Sequence, residues 1–136
     1  MSKSGSCLCG EVEVHASQVE EGVGACHCSM CRKWSGGPFY AAHCGTSVTF
    51  KGEDAITRFA SSAWGERGFC HRCGTHLFFQ HVESGAYFIP AGIFNDNSLK
   101  LESEIFTDEK GSYYALDADS IKMTGAEFIA SMEKGE

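Results

Sequence analysis

Cys26, His27, Cys28, Ser29, Met30 and Cys31 place three thiols within six positions, spaced C-x-C and then C-x-x-C. A turn of that length can bring three sulfurs onto one metal ion. The set lacks a fourth ligand. His27 is the candidate inside the run, although a tight C-x-C chelate points its ring away from the shared ion. A zinc held by three protein ligands with one open position is the catalytic arrangement, whereas a closed set of four is structural. Which of these the chain builds depends on its other cysteines.

There are eight Cys in all, and seven fall in clusters. Ser4 to Gly10 reads S-G-S-C-L-C-G, and a locally extended backbone turns Cys7 and Cys9 to the same side. Phe69 to Gly74 reads F-C-H-R-C-G, a zinc-knuckle pattern in which the glycine relieves a tight turn around Cys70 and Cys73. Joining Cys7, Cys9, Cys70 and Cys73 closes one tetrahedral site and leaves Cys26, Cys28 and Cys31 with a vacancy. The rival pairing sets Cys70 and Cys73 against two of the central thiols and strands Cys7 and Cys9; spacing leaves both open. Cys44 has no cysteine within C-x-x-C reach and reads as a small buried apolar residue. His71, His76 and His81 are substitute ligands in principle, but with enough thiols at hand they read as surface or core residues. Arg32 and Lys33 follow the central cluster directly and either hold an anionic substrate or are solvated surface charges.

These side chains need a scaffold. A chain of 136 residues suits one domain, spanning 1–136, with a core of its own. Gly is frequent at 16, Pro scarce at 2 and aromatics reach 12%, the mixture of short strands joined by glycine turns, so the fold class is mainly β with antiparallel sheets. The net charge of -7 argues against nucleic acid and against an anionic membrane surface as partners. No apolar run approaches the ~20 residues that span a bilayer, and Met1 to Gly10 lacks the apolar centre of a signal peptide. A soluble, cytoplasmic protein is expected, and in a reducing compartment clustered thiols favour metal over disulfides.

Glu11 to His15 alternates polar and apolar, predicting a strand with Val12 and Val14 buried and His15 wet. Val23 to Ala25 is a short strand delivering the central cluster, and Phe39 to Cys44 a largely buried one. Ser47–Phe50 and Ile56–Phe59 flank a turn in the manner of a hairpin. Ser61 to Gly68 reads as a loop running into the knuckle. Thr75–His81, Ala86–Pro90 and Leu99–Phe106 are further strands. Thr124 and Glu127 match a capping box ahead of a short C-terminal helix.

The ordered motifs C-x-C-G at Cys7 to Gly10, C-H-C-x-x-C at Cys26 to Cys31 and R-x-F-C-x-x-C-G at Arg67 to Gly74 carry a resemblance. Together they resemble the glutathione-dependent formaldehyde-activating enzyme family, which also includes centromere protein V, over roughly Ser4 to Gly92. The resemblance implies a β-tent-like fold stabilised by two zinc ions, one structural on the outer cysteine pairs and one catalytic and labile on Cys26, Cys28 and Cys31. It implies a carbon–sulfur lyase or synthase forming S-hydroxymethylglutathione from glutathione and formaldehyde, with a small-molecule thiol and an aldehyde as partners. Glutathione carries two carboxylates, so Arg32, Lys33, Arg67 and Arg72 become candidates to receive it. Where many relatives carry a His before an Ile-Phe pair this chain has Glu104, a departure that bears on substrate more than on metal. Two alternatives stand beside this reading: the same scaffold acting on another thiol or electrophile, and a non-enzymatic zinc module that binds a partner. The sequence leaves the oligomeric state open.

Overall fold

The computed structural model describes residues 1–133. Among these residues eleven strands form two sheets. The smaller has the order β1 (Lys3–Ser6), β2 (Glu13–Ala16) and β5 (Val48–Lys51) and is antiparallel throughout. The larger runs β11 (Ile121–Lys122), β10 (Lys100–Ile105), β3 (Gly22–Cys26), β4 (Phe39–Gly45), β9 (Tyr87–Pro90), β8 (His76–His81), β7 (Gly65–Cys70) and β6 (Ile56–Ala60). Its strands pair antiparallel except that β10 lies parallel to both β3 and β11. The mainly β class expected from composition is the class found.

The alternation of β2 turns Val14 and Ala16 inward and Glu13 and His15 outward. His15 stays exposed, its Nδ1 2.8 Å from the Ser4 hydroxyl. The inward residues meet Ala42, Leu77, Phe78 and Ile89 of the larger sheet in the main core. Cys7 and Cys70 belong to that core, so the outer cysteine pairs sit at its margin rather than on a surface loop.

Two sequence expectations fail here. Ser47–Phe50 and Ile56–Phe59 do not form a hairpin: β5 pairs with β2 and β6 with β7, so the turn between them crosses from one sheet to the other. Local turn signals report that the chain reverses, not which strand it then meets. The expected loop at Ser61–Gly68 is already strand from Gly65, because Gly65 and Gly68 leave room for the rings of Phe79 and Phe78 on β8. A helix not expected from sequence, α1 (Ser29–Ser35), follows the central cysteines. The capping box is present: Thr124 N–H donates to Glu127 Oε1 at 2.9 Å and Glu127 N–H to Thr124 Oγ1 at 3.1 Å, opening α2 (Gly125–Glu133). Among the described residues no helix is long and apolar enough to cross a membrane.

Candidate metal and active site

Two tight turns build the four-thiol cluster. After β1 the chain carries Cys7 and Cys9 to Gly10, whose φ is 83° and whose N–H returns to the Cys7 carbonyl at 3.1 Å. After β7 the same device recurs: Gly74, at φ 82°, donates to the Cys70 carbonyl at 2.6 Å. Left-handed backbone of this kind suits glycine, and it lets the thiols of each turn face one point. Cys7 Sγ lies 3.6 Å from Cys9 Sγ, which lies 3.8 Å from Cys70 Sγ. All four sulfurs, Cys73 included, fall within 4.8 Å of one another. Thiolates at about 2.3 Å from a tetrahedral zinc stand about 3.8 Å apart, so the donor set fits such an ion. Thr75, through its hydroxyl 3.1 Å from Cys73 Sγ and its backbone, holds the Cys73 thiol down to about 5.

The central cluster forms where β3 passes into α1. Cys28 caps the helix, its sulfur accepting the Cys31 N–H at 3.3 Å, and this one-turn geometry sets Cys28 and Cys31 on the same side. The sulfurs of Cys26, Cys28 and Cys31 lie within 4.8 Å of one another, and the structure groups Cys70 and Cys73 with Cys7 and Cys9 rather than with them. The thiols of Cys26 and then Cys31 hydrogen-bond to Cys28 and hold its pKa far below the ordinary value. The Cys26 thiol is pushed up by the same contacts, with Cys28 first. Phe39, Phe79 and Phe88 pack around the three.

Arg67 is the cation that reaches them. It is only 3% exposed, with Nη2 3.6 Å from Cys31 Sγ and Nε donating to the Ser61 hydroxyl at 3.1 Å. Its guanidinium lies 5.2 Å from the Phe79 ring centre and 5.8 Å from that of Trp34. A buried guanidinium is tolerated only with partners, and here the two rings, a hydroxyl and a sulfur provide them.

His27, between two of the thiols, is fully buried and turned away from them. Its Nε2 lies 2.9 Å from Glu104 Oε1 and its Nδ1 2.7 Å from the Tyr114 hydroxyl, so both ring nitrogens are engaged. The parallel pairing of β10 with β3 makes this possible, setting Glu104 beside Ala25 and Ile105 beside Cys26; the His27 N–H then donates to the Ile105 carbonyl at 3.0 Å. Glu104 is itself buried, and its other oxygen accepts from Ser120 at 2.5 Å with Lys122 Nζ 3.6 Å away. Burial works against ionising Glu104, but the hydrogen bonds from Ser120 and His27 prevail and keep its pKa below the ordinary carboxylate value. Cys44 is buried too and donates to the Ala42 carbonyl. Among the described residues, neither His27 nor Cys44 joins the central group.

The remaining sequence candidates separate. Arg32 lies against the central turn, Nε donating to the His27 carbonyl at 3.2 Å and Nη1 to the Tyr113 hydroxyl at 3.3 Å. Lys33 is exposed on the same helix. Arg72 belongs to the other cluster, paired with Glu11 at 2.9 Å. A cleft of about 550 Å³ takes lining from the surroundings of both clusters: Leu8 and Thr75 near the four thiols, Trp34, Phe39 and Arg67 near the three, and His76 between. Sequence reasoning missed the roles of Glu104, Tyr114, Trp34 and His76. The Glu at 104 was visible as a departure from a family pattern, but its partner 77 residues away was not.

Fold and site together define a small, mainly β protein with two thiol clusters able to hold metal ions, one of four sulfurs and one of three. The chain belongs to the glutathione-dependent formaldehyde-activating enzyme family, whose model matches residues 2–109. An uncharacterised lyase of Schizosaccharomyces pombe is 30% identical over 132 residues, covering 96% of each chain. A Rhodobacter sphaeroides protein of known crystal structure is similar in fold, with a TM-score of 0.56 over 89% of this chain and 99% of that one at 21% identity.

Proposed function

We propose that this chain is a zinc-dependent carbon–sulfur lyase, or synthase in the reverse sense, acting on the adduct of a thiol such as glutathione with an aldehyde such as formaldehyde. Family membership and the lyase-named relative support the reaction class. The observation that carries the reading is the unequal pair of clusters, four sulfurs against three, with His27, the imidazole within the three-thiol run, held elsewhere by Glu104 and Tyr114. On this reading Cys7, Cys9, Cys70 and Cys73 hold a structural zinc, and Cys26, Cys28 and Cys31 a labile one. All 136 residues serve as one zinc-binding domain. Free thiols of this kind fit a reducing, cytoplasmic setting.

When bound at the central cluster, zinc supplies acidification, because a coordinating thiol loses its proton. The chain's own residues do the rest. Arg67 keeps a fixed positive charge beside Cys31 Sγ, offsetting the negative charge that thiolates accumulate there. Phe39, Phe79 and Phe88 keep water from the buried side. His27, tied at both nitrogens, holds the turn between Cys26 and Cys28 and would not be offered to a metal held by the three thiols. Addition forms one carbon–sulfur bond and moves the thiol proton to the carbonyl oxygen; cleavage reverses both. Arg32 and Lys33 stand close enough to the cluster in sequence to meet a carboxylate of the thiol, with Arg72 a more distant candidate.

The test is exchange spectroscopy on glutathione and formaldehyde with and without the zinc-loaded protein, since the adduct also forms unaided. Faster exchange that disappears in Cys31→Ser supports the assignment. Unchanged exchange with two zinc ions bound refutes it.

A further inference from the structure

The 550 Å³ cleft lies within the size range of small-molecule sites, and its lining is mainly apolar and aromatic, with the hydroxyls of Ser6, Ser35 and Thr75 as neutral polar exceptions. Trp34 stacks on His76 with ring centres 4.5 Å apart, Phe39 and Ile93 add apolar surface, and Tyr40 stands 40% exposed at the rim. Arg67 is the one permanently charged side chain among the lining residues, and no carboxylate joins it. The guanidinium is already engaged by Ser61 and Cys31. Arg32, Lys33 and Arg72, the other cations near the clusters, do not line the cleft.

That lining suits neither partner of the reference reaction. Glutathione would bring two carboxylates and an ammonium group to a lining with one cation, already engaged, and no carboxylate, where unpaired charges are costly. Formaldehyde contributes a single carbon and leaves such a volume unused. Trp34 and Phe39 flank the cleft on the side of the three thiols: Trp34 lies on the helix that carries Cys31, and Phe39 shares a core cluster with Cys31 and stands opposite Cys26 in the strand register. The three thiols do not themselves line the cleft, but Arg67, which reaches Cys31 Sγ at 3.6 Å, does, so a group seated there lies one side chain away from the cluster.

We infer that the cleft receives the apolar, aromatic-sized substituent of the carbonyl partner, so that the aldehyde this protein handles is larger than formaldehyde and of aryl or comparable apolar type. This rests on the thiol–aldehyde reading above and gives it a substrate class. The chemistry is unchanged: the thiol sulfur bonds to the aldehyde carbon and the thiol proton passes to its oxygen, with no net oxidation.

Gly92 offers a clean perturbation, because it lines the cleft and an added Cβ there meets nothing within 4 Å. Gly92→Leu therefore starts a bulky apolar side chain from a lining position whose Cβ has open space. With zinc-loaded protein and glutathione as the thiol, kcat/KM for the benzaldehyde adduct should exceed that for the formaldehyde adduct by about tenfold or more, and Gly92→Leu should erase that preference. A second readout needs no turnover: in Trp64→Phe protein, unreactive benzyl alcohol should shift the Trp34 emission saturably, and Gly92→Leu should abolish the shift. Acceleration of the formaldehyde adduct with no aryl preference, or with a preference indifferent to Gly92→Leu, overturns the cleft assignment and spares the thiol–aldehyde reading. Acceleration of neither adduct, with both zinc ions in place, overturns both.

Discussion

Replacing Glu104 with Ala tests whether the buried network behind the central thiols holds their geometry. The carboxylate accepts from His27 Nε2 at 2.9 Å and from Ser120 at 2.5 Å, and the imidazole it supports has no exposure of its own. Ser120 is half-buried and can turn to water, whereas His27 cannot. A buried donor deprived of its acceptor costs about 1–3 kcal/mol. Glu104 is the charged acceptor of this pair, which places the loss toward the upper end of that range. A loss of about 3 kcal/mol is therefore expected, which for a chain of this length lowers the Tm by on the order of 10 °C. Glu104→Gln keeps an acceptor oxygen for His27 and should lose no more than about 1 kcal/mol. Because the folded-state pKa of Glu104 lies below its ordinary 4.5, this contribution is fully present above that value and is lost as pH falls through the lower folded value. The gap between wild type and the Ala variant should thus stay constant at neutral pH and close only on strong acidification. Calorimetry of the zinc-loaded proteins, with chelator competition counting the ions released, makes the comparison. The Ala variant should surrender one ion more readily than wild type and the Gln variant should not. An Ala variant that melts within about 2 °C of wild type, or a Gln variant equally damaged, would refute the reasoning.

Three further outcomes follow from the same geometry. Cys70→Ser removes a fully buried ligand from the four-sulfur set and the core; since a structural zinc contributes about 10–16 kcal/mol in small domains, circular dichroism should show a chain that no longer folds, while Cys31→Ser stays folded with one zinc fewer. Arg67→Met should weaken metal at the three-sulfur site by about 10–100-fold, the usual effect of removing a supporting group, and leave the four-sulfur site unaltered; cobalt substitution reads each site by its thiolate charge-transfer band, and equal loss at both would contradict the assignment. His76 is held below its ordinary 6.5 first by burial and then by the Arg67 charge, so the neutral ring is favoured and its stabilisation, present above 6.5, is lost as pH falls through the lower folded value. In Trp64→Phe protein the fluorescence of Trp34, stacked on that ring, should titrate with a midpoint below 6.5, and a midpoint above it would contradict the placement.

Much of the site was legible because thiol chemistry is written in short spacings. C-x-C, C-x-x-C and the glycines after them are local, and the turns at Gly10 and Gly74 take the backbone form that the sequence required. The family likeness was legible for the same reason, and the matching model covers residues 2–109. What the spacings could not convey is partnership at long range. Glu104 meets His27 only because β10 runs parallel to β3, a topology that no local pattern encodes. The supposed hairpin around Gly52 failed likewise, its two strands finding partners in different sheets. The helix after Cys28 was missed because seven residues beginning Ser-Met-Cys and ending in Trp-Ser show too little apolar periodicity to announce themselves. Arg67 read as one cation among four, and only burial beside Cys31 distinguishes it.

The most direct measurement is an anomalous difference map collected at the zinc edge from a crystal of the zinc-loaded protein. Two peaks are expected, one enclosed by Cys7, Cys9, Cys70 and Cys73, the other touching only Cys26, Cys28 and Cys31 among protein atoms while the His27 ring remains on Glu104. A single peak, or a second peak completed by an imidazole nitrogen or by the Cys44 sulfur, would contradict the account.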